Sequence, residues 1–345
     1  MRSKLYMLVL DRDSRVALMA LAACALLLLG LIALAGESPL RVLAILIGDG
    51  FLTRAGLADA LVRSIPLTLT GLGVALSFRA GVFNIGVDGQ LLIGAALAMA
   101  CAPILGPLPS ALALPLLLLA GTLGGAIWGG IAGILKARFG ANEIIATIML
   151  NYIAIQMVSW LIRGPLQEPM GIFPRSEKLA ASLRLPILFD GTRLSAGLIV
   201  AALACVAVWF LVARSRYGYA LTVTGKNADA ARYGGIQPAV IAFSVLCLSG
   251  ALAGLAGIVE VSGLHGRLQE GFAGGIGITA IAVALLARLS PLWVPVAAFG
   301  FAGLYVGSDA IARLTAVPFP LVHVIEGTIV LAFLVLQIMP KAKDR

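Results

Sequence analysis

Ten stretches of this chain run for 14 to 25 residues with almost no charge, and that repetition decides what the chain can fold into. A helix needs about 20 apolar residues to cross the roughly 30 Å hydrocarbon core of a bilayer, where lipid offers no partner to a free backbone N–H or C=O. The runs are Val16–Ala35, Ser64–Phe78, Phe83–Leu105, Ala111–Leu135, Ile144–Ile162, Leu194–Ala213, Ala239–Val259, Gly274–Ala287, Leu292–Gly307 and Leu321–Met339. They predict an all-α fold: a polytopic integral membrane helical bundle of about ten transmembrane helices, forming a single domain over residues 1–345.

Composition removes the competing classes. Hydrophobic residues make up 61% of the chain and charged residues 12%, against roughly 45–50% and about 25% in a soluble domain. A mean hydropathy of +1.04 also excludes a disordered or fibrous chain. The four cysteines, Cys24, Cys101, Cys205 and Cys247, each fall inside an apolar run without metal-like spacing, so they read as small buried hydrophobes. Two histidines, His265 and His323, with no H-E-x-x-H and no clustered carboxylates, argue against a metal-dependent enzyme, and no cofactor is expected.

The net charge of +9 would raise the question of nucleic acid on a soluble chain. Here the basic residues sit in short connections between apolar runs, where lipid headgroups and orientation account for them. With the N-terminus in the cytoplasm, fifteen of the 25 basic residues fall inside and ten outside. Arg79, Lys136, Arg138, Arg214, Arg232 and Arg288 are among the inner ones. The bias has the sign of an N-in, C-in topology. Ala33-Leu34-Ala35 mimics a signal-cleavage site, but a run of 20 uncharged residues exceeds the usual length of about 7–15, so the first run reads as a span.

Two connections are too long to be turns. Residues 163–193 lie outside and carry Pro165, Pro169, Pro174 and Pro186, which suggests an ordered cap or docking surface. Residues 214–238 lie inside and read RSRYGYALTVTGKNADAARYGGIQP. Gly225 is expected to break the preceding structure, Asn227 to cap a short helix over Ala228–Tyr233 with Asp229 in its first turn, and Gly234-Gly235 to stop it. Such a helix either joins two spans and nothing more, or docks a cytoplasmic partner.

The pattern G-K-N-A-D-A-A-R-Y-G-G-I resembles the cytoplasmic coupling loop of the membrane permease subunits of ATP-binding-cassette importers. F-R-A-G-V-F-N-I-G-V-D-G-Q (residues 78–90), A-N-E-I-I-A-T-I-M-L-N-Y-I-A (141–154) and the Gly-rich stretch 263–291 are similar to the branch of that family handling nucleosides and simple sugars. The resemblance implies half of a membrane dimer in the plasma (inner) membrane. Its partners would be a second permease subunit, similar or identical, a cytoplasmic ATPase and an extracytoplasmic substrate-binding protein. The ATPase contact is then expected on Gly225, Asn227, Asp229, Ala231, Arg232, Tyr233 and Gly235. The chain holds no G-x-x-x-x-G-K-[ST], so it is expected to be no enzyme, with ATP hydrolysed by its partner.

Polar groups inside the apolar runs supply the pathway candidates: Asn84, Asp88, Gln90, Asn151, Tyr152 and Gln156. A charge at the centre of a span costs about 2.5 to 3.5 kcal/mol, so Asp88 needs an offset. Gly81, Gly86 and Gly89 point to a break in its helix, tolerated where it lines an aqueous cavity. The alternative for Asp88 is a place at the membrane edge or a pairing with Arg79. Amides suit sugar hydroxyls and nucleobase edges because each carries donors and an acceptor, while the plainer use of Asn151 is an interhelical hydrogen bond. His323 and Glu326, three apart, form either a proton relay or a solvated patch, and His265 and Glu260 sit in an outer connection. Glycines 124, 125, 129, 130 and 133, with 250, 254 and 257, provide close-packing stripes.

A weak internal repeat is suggested at an offset of 189, with Phe83, Gly86, Ala95, Leu97 and Ala98 matching Phe272, Gly275, Ala284, Leu286 and Ala287. Both segments open on a Gly-interrupted stretch, the sequence pointer to a central binding site. The expected function is the permease subunit of an importer for nucleosides or a related small polar solute. The alternatives are a simple-sugar permease and, from another class, an ion-coupled secondary transporter using Asp88 or Glu326.

Overall fold

The structure, a computed structural model, describes residues 35–315 throughout, together with residues 19, 22–27, 29–30, 32–33, 317–318, 321, 324, 327–328 and 331–332. Within them the chain forms α1 (Pro39–Ile47), α2 (Arg54–Arg79), α3 (Val87–Leu105), α4 (Ser110–Phe139), α5 (Glu143–Ile162), α6 (Gly197–Arg214), α7 (Arg216–Lys226), α8 (Ala228–Tyr233), α9 (Pro238–Glu260), α10 (Ile276–Leu286) and α11 (Val294–Leu314). Short π-helical turns follow α1 (Gly48–Leu52) and α9 (Val261–His265).

Seven of these helices among the described residues are long and apolar enough to cross a membrane: α2, α3, α4, α5, α6, α9 with its π-turn, and α11. This corrects the expected ten. The run Gly274–Ala287 yields only the 11-residue α10, about 16 Å long at 1.5 Å per residue and too short to cross. Gly274 and Gly275 both hold positive φ, +46° and +81°, which delays the helix start. The runs Val16–Ala35 and Leu321–Met339 fall in part outside the described residues, and so do His323, Glu326 and both termini that the inward topology concerns. Conversely, α2 begins ten residues before the run Ser64–Phe78, because Arg54, Asp59 and Arg63 interrupt the apolar pattern without interrupting the helix.

The chain divides into two compact units, residues 61–301 and the residues on either side of them. In the flanking unit, Ile32, Val42, Leu46, Ile311 and Val317 form a small core. Gly303 lies against the Phe51 ring and Gly307 against the Leu46 backbone, leaving neither room for a Cβ.

In the larger unit the glycine stripes of α4 and α9 meet face to face. A Cβ on Gly125 would run into the Gly250 carbonyl oxygen, one on Gly129 into that of Leu246, and one on Gly254 into that of Gly121. Backbone thus packs on backbone, the arrangement small residues allow where lipid provides no hydrophobic drive between helices. The enclosure of the spans is very uneven: 83% of the apolar window of α2 is buried, against 17% for α5.

At one end of this unit, residues 163–196 fold into a cap built from isolated bridges, Gln167 with Ser176 and Ile187 with Ser195, and a 3-10 turn at Ala181–Leu183. The cap runs along the segment after α9. Ser176 and Leu268 exchange bonds of 2.8 Å, Leu179 N–H donates to Gly266 O at 2.8 Å, and Glu168 holds both Arg175 (2.7 Å) and Arg267 (3.3 Å).

Candidate functional site

The chain leaves helical form after Arg79 and resumes at Val87. Gly81, with φ +72°, turns it, and each backbone group exposed by the interruption needs a partner at membrane depth. Those partners come from neighbouring spans. Thr147 of α5 accepts from Ile85 N–H at 3.3 Å, and Asn151, one turn on, accepts from Gly89 N–H at 2.8 Å and donates to Ile85 O at 2.9 Å. Asn84 accepts from Gly86 N–H at 3.0 Å. Its Nδ2 donates to Gln90 Oε1 at 2.9 Å and to Ser249 Oγ of α9 at 2.8 Å, while Gln90 Nε2 returns a bond to Asn84 Oδ1 at 3.2 Å.

Asn84 and Gln90 are 0% and 1% exposed. Their amides are therefore engaged with protein rather than turned to a cavity, and half-buried Asn151 is likewise engaged. Tyr152, at 63% exposure, and exposed Gln156 lie one turn apart on the open side of α5. The six expected residues thus separate into a braced interruption and an exposed polar pair.

Asp88 stands between these groups. It is half-buried, and its Oδ1 accepts from Gly277 N–H at 2.7 Å, capping the positive end of α10. No ion pair with Arg79 forms; Arg79 instead donates from Nε to Thr222 Oγ1 and from Nη1 to Leu289 O, both at 3.3 Å. Asp88 and Gly277 are 189 residues apart, the offset of the suggested repeat.

A second interruption follows the π-turn after α9. Gly266, Gly271, Gly274 and Gly275 all hold positive φ there. Its side-chain tie to α5 is made at that helix's carboxyl end, where Glu270 Oε1 accepts from Ser159 Oγ (2.6 Å) and from Arg163 Nη2 (2.9 Å) and Nε (3.2 Å). These bonds hold the Glu270 carboxyl below its ordinary range, Ser159 contributing most. His265 pairs with Glu260 at 3.3 Å within the same region.

The short helix after Asn227 forms where the spacing places it. Asn227 Oδ1 accepts from Asp229 N–H (2.9 Å) and Ala230 N–H (3.0 Å), and Arg232 reaches Asp229 at 2.9 Å. Ala231 is buried while Tyr233 is 98% exposed. Gly235, with φ +79°, turns the chain away. Gly225 does not break the preceding structure; it lies inside α7, where its missing side chain lets the helix rest on the Arg79 and Ala80 backbone.

Sequence reasoning missed Thr147, Ser249, Thr222, Ser159, Arg163 and Glu270. Thr147 and Asn151 share an i, i+4 spacing that offered a signal, whereas nothing local marks Ser249. Nor does it mark the backbone at Arg288 and Leu289, both non-glycine residues with positive φ (+52° and +56°). Each such residue costs about 1–2 kcal/mol, strain that recurs at functional positions.

A family model described as the permease component of branched-chain amino acid transport systems matches residues 56–336. The chain is 38% identical over 324 residues to a glucose ABC transporter permease protein of Haloferax volcanii, covering 91% of this chain and 85% of that one. It is 39% identical over 274 residues to a guanosine ABC transporter permease protein of Bacillus subtilis, covering 77% of each. A nucleoside ABC transporter permease protein of Lactococcus lactis is 31% identical over 312 residues, covering 86% and 85%.

Proposed function

This chain belongs to the family of permease components of branched-chain amino acid transport systems, a multi-pass plasma-membrane transport subunit rather than an enzyme, and on that premise we propose that it carries nucleosides inward, driven by a separate ATPase. Relatives named for guanosine and for nucleosides support the substrate class. A simple sugar is the second reading, favoured by the relative named for glucose, which aligns over 91% of the chain.

The observation that carries the coupling part is α8. A six-residue helix, capped by its own Asn227 and ending on Tyr233, is a formed knob whose aromatic ring is left 98% exposed by the described residues. The proposed ATPase contact comprises Gly225, Asn227, Asp229, Ala231, Arg232, Tyr233 and Gly235. Within this set buried Ala231 seats α8, Gly225 rests α7 on the Arg79 and Ala80 backbone, and the exposed side chains meet the partner.

For the pathway, Tyr152 and Gln156 are the proposed solute-facing pair, on a helix whose open side is available to a second permease subunit. Asn84, Gln90 and Asn151 act beneath them by holding the interruption open at membrane depth, and Asp88 fixes α10 beside it. A binding protein would deliver solute to the capped end, where residues 163–196 lie. ATP binding can drive solute uphill only if α8 touches the ATPase differently in the two access states.

Uptake of radiolabelled guanosine, uridine, ribose and glucose, in cells with and without the chain, tests the reading. ATP depletion with the proton gradient held should abolish chain-dependent uptake of guanosine or uridine. Chain-dependent uptake of glucose or ribose alone selects the sugar reading; uptake that survives ATP depletion and follows the gradient overturns both.

A further inference from the structure

Helix α10 is held at its two ends by the two residues that flank the first interruption. Asp88, at the start of α3, accepts from Gly277 N–H at the amino end of α10, and Arg79, at the end of α2, donates to Leu289 O just beyond its carboxyl end. An anion at the positive end and a cation at the negative end both complement the helix dipole. The carboxyl end closes on Arg288 and Leu289 in the left-handed region, a turn that a plain helix exit does not require and that Arg79 grips from outside.

The same guanidinium reaches the helices that precede α8. Arg79 Nε donates to Thr222 Oγ1 of α7. One turn later Gly225 lies directly on the Arg79 and Ala80 backbone, where a Cβ would collide with Arg79 O. A single residue, Asn227, separates α7 from α8, and its N–H remains bonded to Val223 O at 3.0 Å. Backbone packed on backbone transmits displacement without the slack of side-chain rotamers.

We infer that Arg79 is the positioning residue through which movement of α8 sets α10. A push on α8 moves α7; α7 carries Arg79 through Thr222 and Gly225; Arg79 carries the strained turn at Leu289. α10 then moves as a strut, and its far end displaces Asp88 at the mouth of the first interruption. The inference rests on the ATP-driven reading above and adds to it the residue that connects the ATPase-facing helices to the interruption.

The test uses the full complex, this chain with its ATPase and binding protein, reconstituted in proteoliposomes. The readout is solute taken up per ATP hydrolysed, with guanosine or whichever of uridine, ribose and glucose the wild type carries. Arg79→Gln should lower that ratio at least about fivefold, the scale of a typical coupling free energy. Thr222→Val matches threonine in shape but lacks the oxygen, which also donates to Gly218 O within α7 at 2.8 Å; it should lower the ratio about twofold with at most a small fall in the thermal midpoint. A residue that only stabilises the fold would lower the midpoint and leave the ratio alone. If Arg79→Gln fails to assemble, Thr222→Val still decides: a wild-type ratio there overturns the inference. A wild-type complex that carries none of the four solutes with ATP overturns the importer reading itself.

Discussion

The two interruptions lean on the same helix, α5, but by opposite means. The first, between α2 and α3, is tied to α5 by Thr147 and Asn151, and its own Asn84 is enclosed by Gln90 and Ser249. The second, between α9 and α10, is turned by four positive-φ glycines and tied to the end of α5 through exposed Glu270 and Arg163 with half-buried Ser159. A buried, neutral, mutually satisfied network holds one geometry, since releasing any member strands the others away from water. Exposed ionic ties are weakly held and sensitive to salt and acid. The difference sets an expectation: the amide network at the core of the first interruption, Asn84 with Gln90 and Ser249, should keep its geometry while the second interruption yields more readily.

The largest effect should come from cutting the buried network. Asn84→Leu leaves the Gly86 N–H and both ends of the Gln90 amide without their partner. An unmatched buried polar group costs about 1–3 kcal/mol, so with three such groups a loss of at least about 3 kcal/mol is expected. It would be read as a fall in the thermal midpoint of purified protein. A midpoint within error of the wild type would show that the network is not what holds the first interruption.

Glycine replacements sharpen the comparison because the backbone requirement is shared and the surroundings are not. Gly81 and Gly275 both hold positive φ, +72° and +81°. A Cβ at Gly81 would lie 3.3 Å from the Gly225 Cα, tight against α7, whereas nothing stands within 4 Å of one at Gly275. Gly275→Ala should cost only the conformational strain, about 1 kcal/mol. Gly81→Ala should cost that and a further displacement of α7, so its midpoint should fall below that of Gly275→Ala. Equal midpoints would mean that α7 does not bear on the first interruption.

How much of this was legible follows from the same residues. Apolar runs, the glycine stripes of α4 and α9, and the cap at Asn227 are local patterns with local causes; α3 to α6 and α9 lie close to their runs, whereas α2 begins ten residues before its own. Gly274 and Gly275 were visible as a break, but counting an apolar run as a span hides the difference between 14 apolar residues and an 11-residue helix. Asn84 and Gln90 were legible as polar residues at membrane depth. Their engagement with Ser249, 165 positions from Asn84, was not, because it depends on how α9 packs. Arg79 reads as a charge at the end of a span; only the fold brings it to Thr222 and Leu289, 143 and 210 residues away.

The smallest effect tests the yielding side. Ser159 and Arg163 favour the charged form of Glu270 and so depress its pKa below the ordinary 4.5. A carboxylate depressed in the folded state binds its proton more readily when unfolded. Its contribution to stability is therefore complete above about pH 4.5 and is lost as pH falls through the folded value. The quantity to follow is the difference in thermal midpoint between wild type and Glu270→Gln, in which the other carboxylates largely cancel. That difference should be small and positive near neutrality, fade as pH falls below the ordinary carboxylate value, and shrink in high salt at any pH, since both partners are exposed. A difference that persists in acid would mean that the tie at the second interruption is made by shape or by neutral bonds, as at the first, and the contrast between a fixed and a yielding side would lose its electrostatic basis.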